Sequence, residues 1–187
     1  MEIEQLRQLL ELVSQGDLSV EAAQKELAAQ VAVRVEGVTL DLDRQRRCGF
    51  PEVIFGENKA AETIASTMQA QRDHGQPSLA TRVSADKAEI VMAMLEGVLY
   101  NKVARVLRWD LAGSQTISGR VLVISAGTSD LPVAAEAVET LIWMGVDYEF
   151  IEDVGVAGPH RLIEHVETLR SADVLIVVAG LEGALPS

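Results

Sequence analysis

RVLVISAGTSDLPVAAEAVETLIWMGVDYEFIEDVGVAGPHRLIEHVETLRSADVLIVV, residues 120–178, decides the fold. The stretch opens and closes on continuous apolar runs, Arg120–Ser125 (RVLVIS) and Asp173–Val178 (DVLIVV). Such runs suit strands of a parallel sheet covered on both faces, where alternation with polar residues is lost. Between them Ser129–Met144 has helical spacing, Asp147–Ile151 is strand-like, and Pro159–Arg170 is helical again. Strand, helix, strand, helix, strand is the order of a doubly wound α/β domain. Its expected extent is 119–187, with the polar, glycine-containing LAGSQTISG (111–119) as linker. After the third strand the chain reads AGLEGALPS and stops. Three strands leave an outer strand without cover, so this domain is expected to be incomplete, either a fragment or a shortened form of a longer protein.

Working back toward the N-terminus, the style changes. Residues 31–112 mix short strands and helices and are expected to form a small α/β (α+β) domain. Val31–Asp43 is β-branched and extended. Val53–Phe55 reads as a short strand, Lys59–Gln71 as a helix and Leu79–Val83 as a strand. Ser84 caps a helix to Glu96, with Ile90, Val91, Met94 and Leu95 inward, and Lys102–Trp109 alternates like a strand. Residues 1–30 form a helical hairpin: Ile3, Leu6, Leu9, Leu10 and Val13 make a stripe, Gly16 stops the first helix, and Ser19 caps a second running to Ala28 with Leu27 inward. Its plainest role is docking, without chemistry of its own.

The 187 residues carry 16 basic and 28 acidic side chains, a net charge of −12. That balance repels nucleic acid phosphates and disfavours binding through a broad basic surface. No apolar run approaches the roughly 18 residues needed for a membrane span, and MEIEQLRQLLELVSQGDL lacks the basic start of a signal peptide. The expectation is a soluble, cytoplasmic protein. Cys48 is the single cysteine. It cannot form an internal disulfide, and the histidines His74, His160 and His165 lack metal-ligand spacing.

In a doubly wound sheet, ligands bind beyond the C-terminal strand ends. SAGTSDLP (125–132), EDVGVAGPHR (152–161) and AGLEGALPS (179–187) all fall there, and each is rich in small residues that let backbone amides approach an anion. The candidates for binding are Ser125, Gly127, Thr128, Ser129, Arg161, Gly180, Glu182, Gly183 and Ala184. Asp130 and His160 are the candidates for catalysis. Asp130 is the acid among hydroxyls, although it or Ser129 could equally cap the helix. At a helix start His160 would feel the positive end of the dipole and stay neutral, as a base or proton shuttle. Arg161 could hold a phosphate or carboxylate through two hydrogen bonds. Glu182 could bind a metal or a ribose hydroxyl. Arg46 and Arg47 could lower the pKa of Cys48, but no base or substrate is placed beside it, so an inert thiol is the simpler reading.

The segments SAGTSDLPVAAEA and GVAGPHRLIEHVETLRSADVLIVVAGLEGALP resemble the PurE (AIR carboxylase) family. RCGFPEVIFGENKAAETIA, LATRVSADKA and DVGVAGPHR are closer to its LarB branch, some members of which are called circadian phase modifiers. The resemblance implies an incomplete PurE-like domain behind a small N-terminal α+β domain. It implies carboxylation of the pyridinium ring of nicotinic acid adenine dinucleotide with carbon dioxide (CO2), with cleavage of the phosphoanhydride, a step toward a nickel-pincer cofactor. Magnesium at the phosphates and assembly as a homo-octamer are implied as well. In that family a cysteine thiolate adds to the ring. The family cysteine lies beyond the AGLEGALPS loop, and Cys48 does not match it, so this chain is expected to bind without turnover. The alternatives are a purine-pathway aminoimidazole ribonucleotide carboxylase or mutase, which would lack the N-terminal extension, and a regulatory protein without enzyme activity.

Overall fold

The computed structural model describes residues 3–24, 32–35, 37–111, 117–180 and 182–187. The chain divides into two compact units, Met1–Glu52 and Val53–Ser187. In the first, α1 (Ile3–Gln15) buries Leu9, while Leu6 and Val13 are half-buried and Leu10 faces solvent, so the expected stripe is narrower than its spacing suggested. Gly16 ends the helix at φ +79, a conformation glycine adopts without steric penalty. Ser19 caps the next helical stretch, its Oγ accepting the N–H of Ala22 at 3.1 Å. Residues 20–24 are helical; the expected continuation through Leu27 to Ala28 lies outside the described residues. β1 (Ala32–Val35) and β2 (Val38–Asp41) form an antiparallel hairpin, and α2 (Arg44–Cys48) follows.

The second unit holds two sheets. The first contains β3 (Ile54–Phe55), β4 (Ser78–Thr81), β5 (Leu99–Asn101) and β6 (Val106–Trp109) in the order β3-β4-β6-β5. β3 and β4 are parallel, and the other pairings are antiparallel. α3 (Ala61–Asp73) and α4 (Ala85–Met94) pack on it through Ile64, Met68, Ala88 and Val91. Two expectations need correction. Ile90 and Met94 are exposed, because the inner face of α4 is set by Ala88 and Val91. The expected strand Lys102–Trp109 is a turn followed by a strand, and β5 precedes it. Asn101 makes the turn: its Oδ1 accepts the N–H groups of Val103 and Ala104 at 3.0 and 3.1 Å.

The second sheet is wholly parallel, in the order β8-β7-β9, with β7 (Ile117–Ser125), β8 (Val146–Ile151) and β9 (Val174–Val178). Alternation along β7 feeds both faces. Val121 and Val123 pack on α5 (Leu131–Met144) through Ala134 and Leu141. Leu122 and Ile124 pack with Leu162 of α6 (Pro159–Ile163) and Leu169 of α7 (Val166–Ser171). This is the doubly wound α/β arrangement that the sequence predicts. The single helix expected over Pro159–Arg170 is broken at Glu164 and His165, with no proline or glycine to mark the break. The outward face of α5 meets the first sheet. Arg108 Nε lies 3.0 Å from Glu139 Oε2, with side chains only 12% and 13% exposed, and Arg82 pairs with Glu136 at 2.7 Å. These pairs unite the two sheets within the unit Val53–Ser187, across the expected linker of 111–119.

Tyr100 gives this unit a pH response. Its hydroxyl donates to Val83 O at 3.0 Å, and burial pushes the phenol above its ordinary pKa, with Arg105 pulling the other way. A folded pKa above the unfolded one means the associated stability is intact below the unfolded value, about 10, and lost as pH rises through the folded one. Melting temperatures measured from neutral to strongly alkaline pH should therefore fall more steeply for the parent than for Tyr100→Phe. Superimposable curves would remove Tyr100 as the cause.

Candidate functional site at the strand ends

The loops beyond β7, β8 and β9 are stitched together by main-chain bonds. Ala126 N–H donates to Val178 O at 2.9 Å, Val154 N–H to Ser125 O at 3.1 Å, and Gly155 N–H to Ala126 O at 2.9 Å. Gly155 fits because it has no side chain: a Cβ there would lie 2.8 Å from Ala126 O. Asp130 occupies the N-cap position of α5, yet its carboxylate does not cap the helix. It accepts the N–H of Gly127 at 3.0 Å, while the Asp130 N–H returns to Gly127 O at 3.0 Å. The two bonds close residues 127–130 into a rigid loop. A small, open cleft lies beside it, lined by Ser125, Gly127, Thr128, Leu131, Glu152 and Asp153.

Three of the expected binding residues, Ser125, Gly127 and Thr128, therefore share one cleft, with Asp130 bracing it. Ser125 is buried, while Thr128 and Ser129 are exposed. Glu152 and Asp153 were not singled out from sequence. Their signal was position alone, two acids directly after a strand in a sheet that binds ligands at its strand ends. Asp153 takes the left-handed backbone at φ +58. Arg161 turns toward it, its Nη1 bonding Asp153 O at 2.7 Å and the Asp153 carboxylate. The guanidinium thus neutralises one acid of the cleft wall and must leave it to grip a ligand.

Other expected residues stand apart. His160 is exposed in a five-residue helix. So short a helix has little macrodipole to act on a side chain at its start. Gly180, Glu182, Gly183 and Ala184 are exposed in the turn after β9 and are not among the walls of the cleft. Cys48 is exposed on α2. Its neighbours Arg46 and Arg47 are engaged, Arg46 with Asp43 at 2.8 Å and Arg47 with Asp43 at 3.3 Å and with Asp41. The Arg46 hydrogen bond holds the Asp43 carboxyl below its ordinary pKa. Among the described residues no three His, Cys, Asp or Glu side chains converge to hold a metal ion, and no helix is long and apolar enough to cross a membrane.

Residues 33–111 match the family model described as the LarB/PurE-like N-terminal domain. An uncharacterized protein of Methanocaldococcus jannaschii is 36% identical over 192 aligned residues, covering 97% of this chain and 75% of that protein. The chain belongs to the LarB/PurE-like family. Its PurE side is visible too. The N5-carboxyaminoimidazole ribonucleotide mutase of Thermotoga maritima is 34% identical over 65 residues, 35% of this chain and 38% of the mutase. The mutase of the same name from Methanocaldococcus jannaschii is 39% identical over 69 residues, 35% of this chain and 41% of the mutase. Kinship with the LarB/PurE-like family thus joins the small-sheet segment, matched by the family model, to the carboxylase and mutase kind.

Proposed function

We propose that the strand-end cleft binds nicotinic acid adenine dinucleotide and serves a LarB-type reaction. The pyridinium ring gains a carboxylate from carbon dioxide and releases a ring proton. Water cleaves the phosphoanhydride, releasing AMP. The observation that carries the reading is the pinned loop: Asp130 holds the Gly127 amide, which fixes Thr128 and Ser125 at the cleft wall. The hydroxyls of Ser125 and Thr128, held in that geometry, can donate to a phosphate, while the Gly127 amide is spent on the Asp130 brace. Arg161 would exchange Asp153 for the ligand. Covalent activation of the ring calls for a thiolate, and Cys48 is not assigned that role because it does not match the cysteine that the resemblance implies. Magnesium would arrive with the substrate phosphates, since magnesium commonly binds through them and one or two carboxylates. Assembly as an octamer belongs to the same reading, and light scattering measures it.

A purine-type reading rests on the mutases that align with part of the chain, and the N-terminal match favours the LarB side. Calorimetry separates the two: the expected ligand is nicotinic acid adenine dinucleotide, in preference to carboxyaminoimidazole ribonucleotide. Mass spectrometry after incubation with labelled bicarbonate reports whether binding leads to carboxylation. Asp130→Ala leaves the Gly127 amide unpinned, and a lost charge-assisted bond of this type should weaken dinucleotide binding roughly tenfold. Binding of neither nucleotide, or an affinity unmoved by Asp130→Ala, would sink this assignment and leave the regulatory alternative.

A further inference from the structure

Among the described residues, four that are not glycine have positive φ: Arg82 at 57°, Arg105 at 56°, Asp153 at 58° and Glu182 at 38°. Asp153 and Glu182 follow β8 and β9, at the end of the sheet that carries the cleft. Arg82 and Arg105 share one end of the four-stranded sheet, because Arg82 follows β4 and Arg105 precedes its antiparallel neighbour β6. Glycine or asparagine would serve either turn with less strain. Arginine stands there twice, and strained backbone concentrates where a site demands it.

Backbone contacts draw three segments together at this end. Gly56 N–H donates to Thr81 O at 2.8 Å, and Val83 N–H donates to Arg105 O at 2.8 Å. A Cβ on Gly56 would lie 2.7 Å from Val83 Cγ2, so the loop after β3 presses directly on residues 81–83. Two lysines are held there by carbonyls and not by carboxylates. Lys59 Nζ bonds Phe55 O at 3.2 Å, and Lys87 Nζ bonds Gly56 O at 3.1 Å and Glu57 O at 2.8 Å. Of the nearby acids, Glu57 and Asp86 are exposed, Glu136 pairs with Arg82 at 2.7 Å, and Glu139 is taken by Arg108 and Asn101, so the cations Lys59, Arg82, Lys87 and Arg105 still outnumber the acids Glu57, Asp86 and Glu136. Arg105 is exposed and makes no ion pair among the described residues. In a chain of net charge −12, a local excess of cations runs against the average and marks a place for an anion.

We propose that this end of the four-stranded sheet, formed by residues 55–59, 81–87 and 105, is an anion subsite for a phosphoryl group. Arg105 supplies its unpaired guanidinium fork, and Arg82 is a second arm that exchanges Glu136 for the ligand. The planar fork of arginine matches phosphate oxygens two at a time, which explains arginine at a position whose backbone would suit a smaller residue. Glu136, the partner of Arg82, lies on α5, the helix whose first residue, Leu131, lines the strand-end cleft. The subsite stands whether or not the cleft takes a pyridine dinucleotide.

Calorimetric titration of the 187-residue chain with inorganic pyrophosphate tests it. The parent should bind, and added salt should weaken the binding. Arg105→Asn suits the left-handed backbone, so it keeps the turn while removing the fork, and it should weaken binding about tenfold or more. Arg105→Lys should recover part of the loss, because the charge returns without the fork. Glu136→Gln frees Arg82 and should tighten binding. Arg170→Gln, at an exposed position paired with Glu167, should leave it unchanged. A parent that does not bind pyrophosphate overturns the proposal. So does an Arg105→Asn variant that melts like the parent and binds pyrophosphate equally well. No gain from Glu136→Gln removes Arg82 from the subsite. Pyrophosphate has no ring to carboxylate, and the Arg105 and Glu136 variants, not binding by the parent alone, separate this subsite from the strand-end cleft.

Discussion

Leu122→Ala should lower stability by about 3 kcal/mol, within the range of about 2–5 kcal/mol seen for emptied leucine positions in well-packed cores. Leu122 is fully buried in the middle of the central strand β7, in a cluster with Ile124, Ile151 and Val154. Leu162, Leu169 and Leu185 close the cluster from outside. Alanine would remove the side chain that the two short helices α6 and α7 lean on, and neighbours tied by sheet hydrogen bonds on both sides cannot collapse into the space. For a domain of this size, each kcal/mol moves the melting temperature by about 2–4 °C, so a drop on the order of 10 °C is expected. Leu175 on β9 is the control, because it is 47% exposed and its truncation should stay within about 0.5 kcal/mol. Equal drops for the two variants would mean that the Leu175 face is covered in solution and that Leu122 is not the centre of the core.

Much of this was legible in the residues, and the reason differs from element to element. RVLVIS is apolar because β7 is the central strand, covered on both faces, and its parallel register with β8 and β9 follows, whereas DVLIVV lies on the edge strand β9 with Val174 and Leu175 half exposed. The strand-end loops were legible from their small residues. The break at Glu164 and His165 was not, since no local residue signals it and the segment docks by Leu162 and Leu169 on a cluster assembled from distant strands. The turn before β6 was hidden because KVARVLRW alternates well enough to be a strand, and Asn101, just before it, spends its side chain on two amides instead. At the site, residue types located Ser125, Gly127 and Thr128 but not the partner of each polar group. Asp130 reads from sequence as a catalytic acid or a helix cap, and in the structure it braces the loop through Gly127, while Arg161, read as a ligand grip, is paired with Asp153. Who bonds with whom is a tertiary property, and Glu152 and Asp153 became visible as cleft walls once the end of β8 was placed beside that of β7.

Gly155→Val should be as damaging as emptying the core, at about 3 kcal/mol, and it should also disable the cleft. Gly155 sits where the loop after β8 crosses the loop after β7. Its N–H donates to Ala126 O at 2.9 Å, and a Cβ would meet that same oxygen at 2.8 Å, the Ala126 carbonyl carbon at 3.4 Å and its Cα at 3.6 Å. All three atoms are main chain. Ala126 is held in turn by its N–H bond to Val178 O, so it cannot yield as the tip of a side chain would. Any side chain must push the two loops apart, breaking the Gly155–Ala126 bond and straining the neighbouring Val154–Ser125 bond, while Ser125 and Asp153 line the cleft on either side of the crossing. Valine adds branching next to the clash, so Gly155→Ala should be milder in both stability and ligand affinity. Gly180 is the matched control: nothing lies within 4 Å of a Cβ built there, and Gly180→Val should change stability by no more than about 0.5 kcal/mol. Thermal melts of the three variants, with nucleotide titration of those that stay folded, give the comparison. A Gly155→Val protein with the parent's melting temperature would show that the two loops can separate freely, and with that the rigid crossing on which the cleft depends would be lost as an explanation.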